Sequence, residues 1–223
     1  VVGITFKLWD PEEKAGLPSS CCSVDDVNDA RQVCSRLGIP HYVWNFKDLF
    51  RQRVVEPFLQ AYRQGKTPNP CNACNRSVKF DTFLAKALSM DFSYIATGHY
   101  AAISYDAGSG RYCLSRSSYL PKDQSYVLYV LSQETLAHTL FPLGDLTKRE
   151  VRELAAAEGF PTASKSESQD ICFVPDGDYA AFVERHTGCP CPPGDILDEA
   201  GELTARAPYD KLVTTKYAEE AAK

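Results

Sequence analysis

Two periods of apolar and polar positions alternate along the first hundred residues. Residues 1–8 (VVGITFKL) are a short apolar run of strand length. Val27, Ala30, Val33, Cys34 and Leu37 then recur at helical spacing behind Asp25 and Asp26, either of which suits a cap, and Gly38 ends the stripe. Residues 41–46 read as a second strand. A helix is predicted over about residues 48–64, with Pro57 inside it and Gly65 at its close. Prolines 68 and 70 keep the chain extended to about Cys71. A second helical stripe follows in Val78, Phe80, Phe83, Leu84, Ala87 and Leu88, and residues 93–97 form a strand that runs into Gly98-His99-Tyr100. Strand, helix, strand, helix, strand is the alternation of an α/β domain with a Rossmann-like parallel sheet. Ligands of such sheets bind beyond the C-terminal ends of the strands, where Gly98 and His99 fall.

Beyond residue 100 the pattern is more mixed. Residues 101–105 and 111–115 alternate around Asp106-Ala-Gly-Ser-Gly110, a hairpin with Cys113 packed in its second strand. Lys122-Asp123-Gln124-Ser-Tyr126 opens an apolar run to Leu131. That polar cluster either caps a buried helix or presents a lysine, an acid and an amide to a ligand. Thr147-Lys-Arg-Glu150 is a capping box whose helix buries Val151, Leu154 and Ala155 and stops at Gly159. Residues 164–174 pass from a polar loop into a short apolar strand, with Cys172 at the junction. A short helix over 178–186 uses Tyr179, Phe182 and Val183, and a strand is expected over 195–198. From about Arg206 no pattern is convincing.

At 223 residues with 44% hydrophobic content, the chain has room for one large domain or one domain plus part of another. The net charge of −5 argues against a globally basic nucleic-acid binder and leaves room for a local basic groove. Nine cysteines, with no leader pattern and no apolar run of membrane length, fit a reducing compartment where thiols are catalytic or ligate metal.

The cysteines carry the candidate chemistry. Cys74 falls near a helix start with Arg76 and Lys79 close in sequence, and both a helix N-terminus and nearby cations favour thiolate. Cys71 and Cys74 can pair with Cys189 and Cys191 as a four-thiolate zinc site, although the one-residue spacing of the second pair is poor for zinc. Alternatively they work with the lone Cys172, three thiolates that suit sulfur chemistry or an iron–sulfur cluster. Spacing leaves both open. The adjacent pair Cys21-Cys22 is read as incidental, and His99 reads equally as a capped loop histidine or a ligand residue.

Five segments in this order, TPNPCNACNRSVKF, ATGHYA, KDQSYVLYVL, FPLGDLTKREVRELA and SESQDICFV, resemble the tRNA-specific 2-thiouridylase family, and the likeness runs from Val1 to about Gly201. The resemblance implies a PP-loop ATPase-type domain over residues 1–174 and the start of a small central domain over 175–223. It implies ATP (with Mg) as the activating cofactor, tRNA as substrate, and a sulfur donor, either a persulfide carrier or sulfide. The reaction would adenylate O2 of the wobble uridine and replace it with sulfur; the rival reading is a non-catalytic zinc-binding or tRNA-binding remnant of the family. By the same likeness Cys172 receives sulfur as a persulfide and Cys74 is its nucleophilic partner, able to form a transient disulfide with it. Phe6 and Gly98 match adenine-nucleotide contacts. Thr67, Pro68, Asn69 and Pro70 match the loop around the target base, and His99, Lys122, Asp123 and Gln124 match positions that meet tRNA. Many members have aspartate where Cys71 stands. The Cys-x-x-Cys form resembles a branch that holds a [4Fe-4S] cluster, here on Cys71, Cys74 and Cys172. The Ser-Gly-Gly-x-Asp-Ser phosphate loop of the family would precede Val1, and its β-barrel would follow the last family-like residues near Ala205, so the sequence as given is expected to bind ATP poorly. Cytoplasmic or organellar location and no membrane contact complete the expectation.

Overall fold

The computed structural model describes residues 1–9, 24–165, 171–174, 177–190, 194–198 and 200–207. Strand β1 (Gly3–Lys7) leads to helix α1 (Val24–Arg36), and β2 (His41–Asn45) returns to pair with β1 in parallel, Gly3 opposite His41 and Lys7 opposite Asn45. Parallel pairing needs a crossover, and α1 supplies it. Asp25 and Asp26 lie inside the first turn of α1, so neither is the cap expected of them; there they still face the positive end of the helix dipole. Gly38, at φ 67°, ends the helix in the left-handed region, as its position predicts.

Residues 47–63 form one helical run, α2 (Lys47–Phe50), a wide π segment (Arg51–Val55) and α3 (Glu56–Arg63). Pro57, near the start of α3, has no N–H to return to the preceding turn, and the π segment lies just ahead of it. The next run, residues 70–88, is built the same way: α4 (Pro70–Cys74), a π segment (Asn75–Thr82) and α5 (Phe83–Leu88). It starts at Pro70, where the missing N–H costs nothing. The Asn69 side chain caps it, Oδ1 accepting from the N–H groups of Cys71 (3.1 Å) and Asn72 (3.2 Å).

This second run is the spine of the molecule. Cys74 and Val78 face a core formed with Leu8, Phe46, Phe50, Val54, Val55, Phe58, Tyr62, Phe173, Val174, Phe182 and Val183. Phe80, Leu84 and Ala87 face another core with Ile95, Ala101, Val127 and Leu128. Aromatic rings join the first core edge to face, with Phe58 and Phe173 centroids 5.2 Å apart. Burying one such ring contributes about 2–3 kcal/mol.

The second core supports β3 (Ile95–Ala96), which pairs in parallel with β6 (Thr139–Leu140). Between them run the antiparallel hairpin β4 (Ala101–Asp106) and β5 (Arg111–Arg116), then α6 (Gln133–Ala137). The Asp106 carboxylate accepts from Gly108 N and Ser109 Oγ and fixes the hairpin turn. Cys113 is exposed on β5 rather than packed. The helix considered for residues 126–131 does not form. Short 3₁₀ turns (Leu120–Lys122 and Ser125–Val127) take that place, with Val127 and Leu128 turned inward and Tyr126 and Tyr129 outward.

Helix α7 (Lys148–Ala157) has the predicted capping box, Thr147 accepting from Glu150 N and Glu150 from Thr147 N. Its apolar stripe is not buried as expected: Leu154 is 56% exposed. The helix packs instead on the 3₁₀ turn Pro161–Ser164, which Lys165 ties to α1 through ion pairs to Asp26 (2.6 Å) and Asp29 (2.5 Å). Residues 171–174 form a turn, Val174 N donating to Ile171 O, where a strand was expected. Phe173 and Val174 nevertheless reach the first core. Helix α8 (Tyr179–Thr187), capped by Asp178, packs Phe182 and Val183 on the same core. β7 (Gly194–Leu197) pairs with β8 (Leu203–Ala207), a strand the sequence pattern missed. No helix among the described residues is long and apolar enough to cross a membrane.

Candidate functional site

Cys74 ends α4 and is 7% exposed, its side chain within the first core. Cys172, in the turn before Phe173, packs half-buried against that same core. Two of the three singled-out cysteines, distant in sequence, therefore converge on one apolar cluster. Cys71 does not join them: it lies in the first turn of α4 and is exposed. Cys189 is exposed beyond α8, and Cys21, Cys22 and Cys191 lie outside the described residues. Among the described residues no three His, Cys, Asp or Glu side chains come together as metal ligands. The donor set of a [4Fe-4S] cluster on Cys71, Cys74 and Cys172 is thus not assembled in this structure.

The loop before α4 divides by position. Thr67 and Asn69 are exposed, Pro68 half-buried and Pro70 buried. Asn69 spends its side-chain oxygen on the helix cap.

Gly98 and His99 follow β3 after Thr97. His99 Nδ1 shares a hydrogen bond of 2.9 Å with Thr97 Oγ1, and its ring sits between Phe80 (5.8 Å) and Phe141 (5.9 Å). Burial between these rings, with the Lys79 ammonium nearby, lowers its pKa to about 4. The imidazole is neutral at pH 7 and can offer or accept one hydrogen bond without carrying charge.

Lys122-Asp123-Gln124 is held from inside. The Asp123 carboxylate accepts from Ser117 N (2.9 Å) and Ser125 Oγ (2.7 Å). Burial opposes its ionisation, but the bonds from Ser125 and Ser117 and the Arg116 charge outweigh it and lower the pKa. Gln124 Oε1 accepts from Tyr100 N (2.9 Å), while Gln124 N donates to Tyr100 O (2.9 Å). Of the three, Asp123 and Gln124 direct these oxygens into the fold.

Sequence reasoning missed Asn75 and Tyr100. Asn75, 2% exposed, donates from Nδ2 to Val127 O across 3.0 Å. One signal was available: an amide directly after Cys74 and three residues ahead of Val78, the spacing of one helix face.

A groove of about 570 Å³ separates the parallel pair β1–β2 from β3–β6. Ile4, Phe6, Trp44, Phe83, Ile95 and Thr97 are among its walls. Phe6 stands next to the C-terminal residue of β1, and Thr97 and Gly98 lie just beyond β3.

Parallel strand pairs with crossover helices, and polar loops gathered past the strand ends, define an α/β domain of the Rossmann-like HUP class. The sequence pattern of the tRNA methyl transferase HUP domain matches residues 1–176, and the chain belongs to that family. Curated relatives agree. The chain is 52% identical over 205 residues to the tRNA-specific 2-thiouridylase MnmA of Moorella thermoacetica, covering 91% of this chain and 57% of the relative. Its likeness to the enzymes of the same name from Carboxydothermus hydrogenoformans (50% over 209 residues, 91% and 56%) and Clostridioides difficile (45% over 206 residues, 92% and 57%) is of the same extent. The chain spans somewhat more than half the length of these relatives.

Proposed function

We propose that this chain is the cysteine- and nucleotide-bearing part of a tRNA-uridine 2-sulfurtransferase. The observation that carries the reading is the convergence of Cys74 and Cys172 on one core in a chain whose relatives are named 2-thiouridylases. Bound ATP would activate the uridine O2 as an adenylate with release of pyrophosphate, making AMP the leaving group at C2. Cys172 holds the sulfur as a persulfide. The terminal sulfur attacks C2, AMP departs, and the Cys74 thiolate attacks Cys172 Sγ. That attack breaks the persulfide S–S bond, leaves sulfur on the base and forms a Cys74–Cys172 disulfide, which an external thiol then reduces. A persulfide carrier reloads Cys172: the Cys172 thiolate attacks the carrier's outer sulfur and the carrier leaves as a thiolate. No step runs through a cluster, because Cys71 is exposed while Cys74 and Cys172 lie in or against the first core.

In this reading Phe6 and Gly98 contact the adenine nucleotide at the groove end. Thr67, Pro68, Asn69 and Pro70 border the target base, which must leave its stack to react. Lys122 and the neutral His99 face the RNA, with Asp123 and Gln124 setting the position of Lys122. The first domain covers residues 1–174, and α8 with the β7–β8 hairpin belongs to the start of the next. The chemistry requires reduced thiols, as in the cytoplasm or an organelle matrix.

The test is mass spectrometry of wobble uridines in cells whose complete protein carries Cys172→Ser. Loss of 2-thiouridine is expected, and its retention would remove Cys172 from the mechanism. Cys71→Asp separates the two sulfur routes: unchanged thiolation and no iron lost supports the persulfide, whereas loss of both iron and activity restores the cluster.

A further inference from the structure

Three segments of the candidate site are tied into a closed loop of contacts. Asn75, in the turn after Cys74, donates to Val127 O (3.0 Å). Three residues upstream of Val127, Gln124 is bonded twice to Tyr100, through Tyr100 N to Oε1 and Gln124 N to Tyr100 O, each 2.9 Å. Beside Tyr100, His99 lies on Phe80, 5.8 Å between ring centres, and Phe80 belongs to the same helical run as Asn75. The cysteine helix, the Gly98-His99-Tyr100 turn and the Lys122-Asp123-Gln124 segment thus brace one another.

Asn75 is the costly member of this loop. A backbone carbonyl can only accept, so the bond to Val127 fixes Nδ2 toward it and turns Oδ1 away. Oδ1 is buried and meets no donor among the described residues. An apolar side chain of similar size would avoid both the desolvation and the unpaired acceptor. Packing alone therefore does not account for an amide here. Its position does: the helix changes from α to π geometry at this residue, and wider turns of this kind recur at functional sites. A side chain anchored across the junction fixes the rotation of Cys74 relative to the segment bearing Lys122.

We propose that Asn75 is a positioning residue for Cys74, acting through Val127 and Gln124 to hold the thiol, His99 and Lys122 as one rigid frame. The catalytic part of this proposal rests on the sulfurtransferase reading; the mechanical part does not.

The test is the rate of iodoacetamide labelling of Cys74, read by peptide mass spectrometry with exposed Cys113 as internal reference. Asn75→Ala and Gln124→Ala each break one side of the frame and should raise Cys74 labelling about tenfold relative to Cys113. Thr147→Ala, which weakens the distant α7 cap, should leave that ratio unchanged. If Asn75→Ala does not fold, Gln124→Ala and amide exchange in the unaltered chain still decide: Tyr100 and Val127 amides should open together. Equal labelling ratios in the folded variants, or independent opening of those amides, would overturn the frame. In the complete protein Asn75→Ala should lower kcat for thiolation about tenfold while KM for tRNA stays within about twofold. Raised labelling with unchanged kcat would remove Asn75 from catalysis. An unaltered complete protein that makes no 2-thiouridine would instead sink the sulfurtransferase reading and leave the labelling result standing.

Discussion

Protonating His99 would put a cation between Phe80 and Phe141 with its Nδ1 committed to Thr97. Its folded pKa, about 4, lies below the unfolded value of 6.5. Between those values the unfolded chain binds more protons, so stability is full above about pH 6.5 and falls as pH drops toward about 4. The loss amounts to about 3 kcal/mol at most. Urea unfolding followed across that range should show the slope, and His99→Phe should flatten it; an unchanged slope would mean another group titrates. The partner residues show why this histidine was undecided in the sequence. Gly98-His99 after a strand is legible as a ligand loop, but Phe141 comes from another part of the chain, and its contact depends on the β3–β6 pairing. Asn75 was hidden for the same reason, its bond to Val127 spanning two elements.

Local rules read well where the controlling contacts are local. The Thr147–Glu150 box, the Asp106 hairpin turn and the left-handed Gly38 each depend on neighbours a few residues away, and each lies where the sequence puts it. Thr147→Ala should cost about 1 kcal/mol of stability, measured by thermal unfolding. The region after Lys122 obeys no such rule. Its apolar run has the composition of a buried helix, yet Asp123 and Gln124 bond to Ser117 and Tyr100 and hold the chain in 3₁₀ turns. Strand β8 was missed because Leu203-Thr-Ala-Arg-Ala offers small side chains and no strong alternation. Gly144 is a further element-scale constraint. A Cβ there would collide with the Ala101 carbonyl oxygen, and the Gly144 carbonyl already accepts from Ser117 Oγ and Ser118 N. Gly144→Ala should destabilise by about 1–3 kcal/mol, enough to lower the melting temperature by several degrees. An unshifted melt would show that β4 gives way freely.

On the scale of the whole molecule, the helical run over residues 70–88 belongs to two cores, and alternation of strands and helices was sufficient to predict the α/β class. It could not foretell that the described strands form separate pairs with a groove between them. Among the described residues β1 pairs only with β2, and β3 only with β6. The groove between the two pairs is walled by Ile4, Phe6, Trp44 and Ile95. Apolar walls of this kind favour association with another apolar surface. The purified chain should accordingly self-associate as its concentration rises, detectable by light scattering, and Ile4→Lys at the groove wall should suppress this. Scattering that stays monomeric at high concentration would show the apolar wall to be shielded. The groove thus makes handling of the isolated chain a matter of colloidal behaviour, set by two short strands rather than by its net charge.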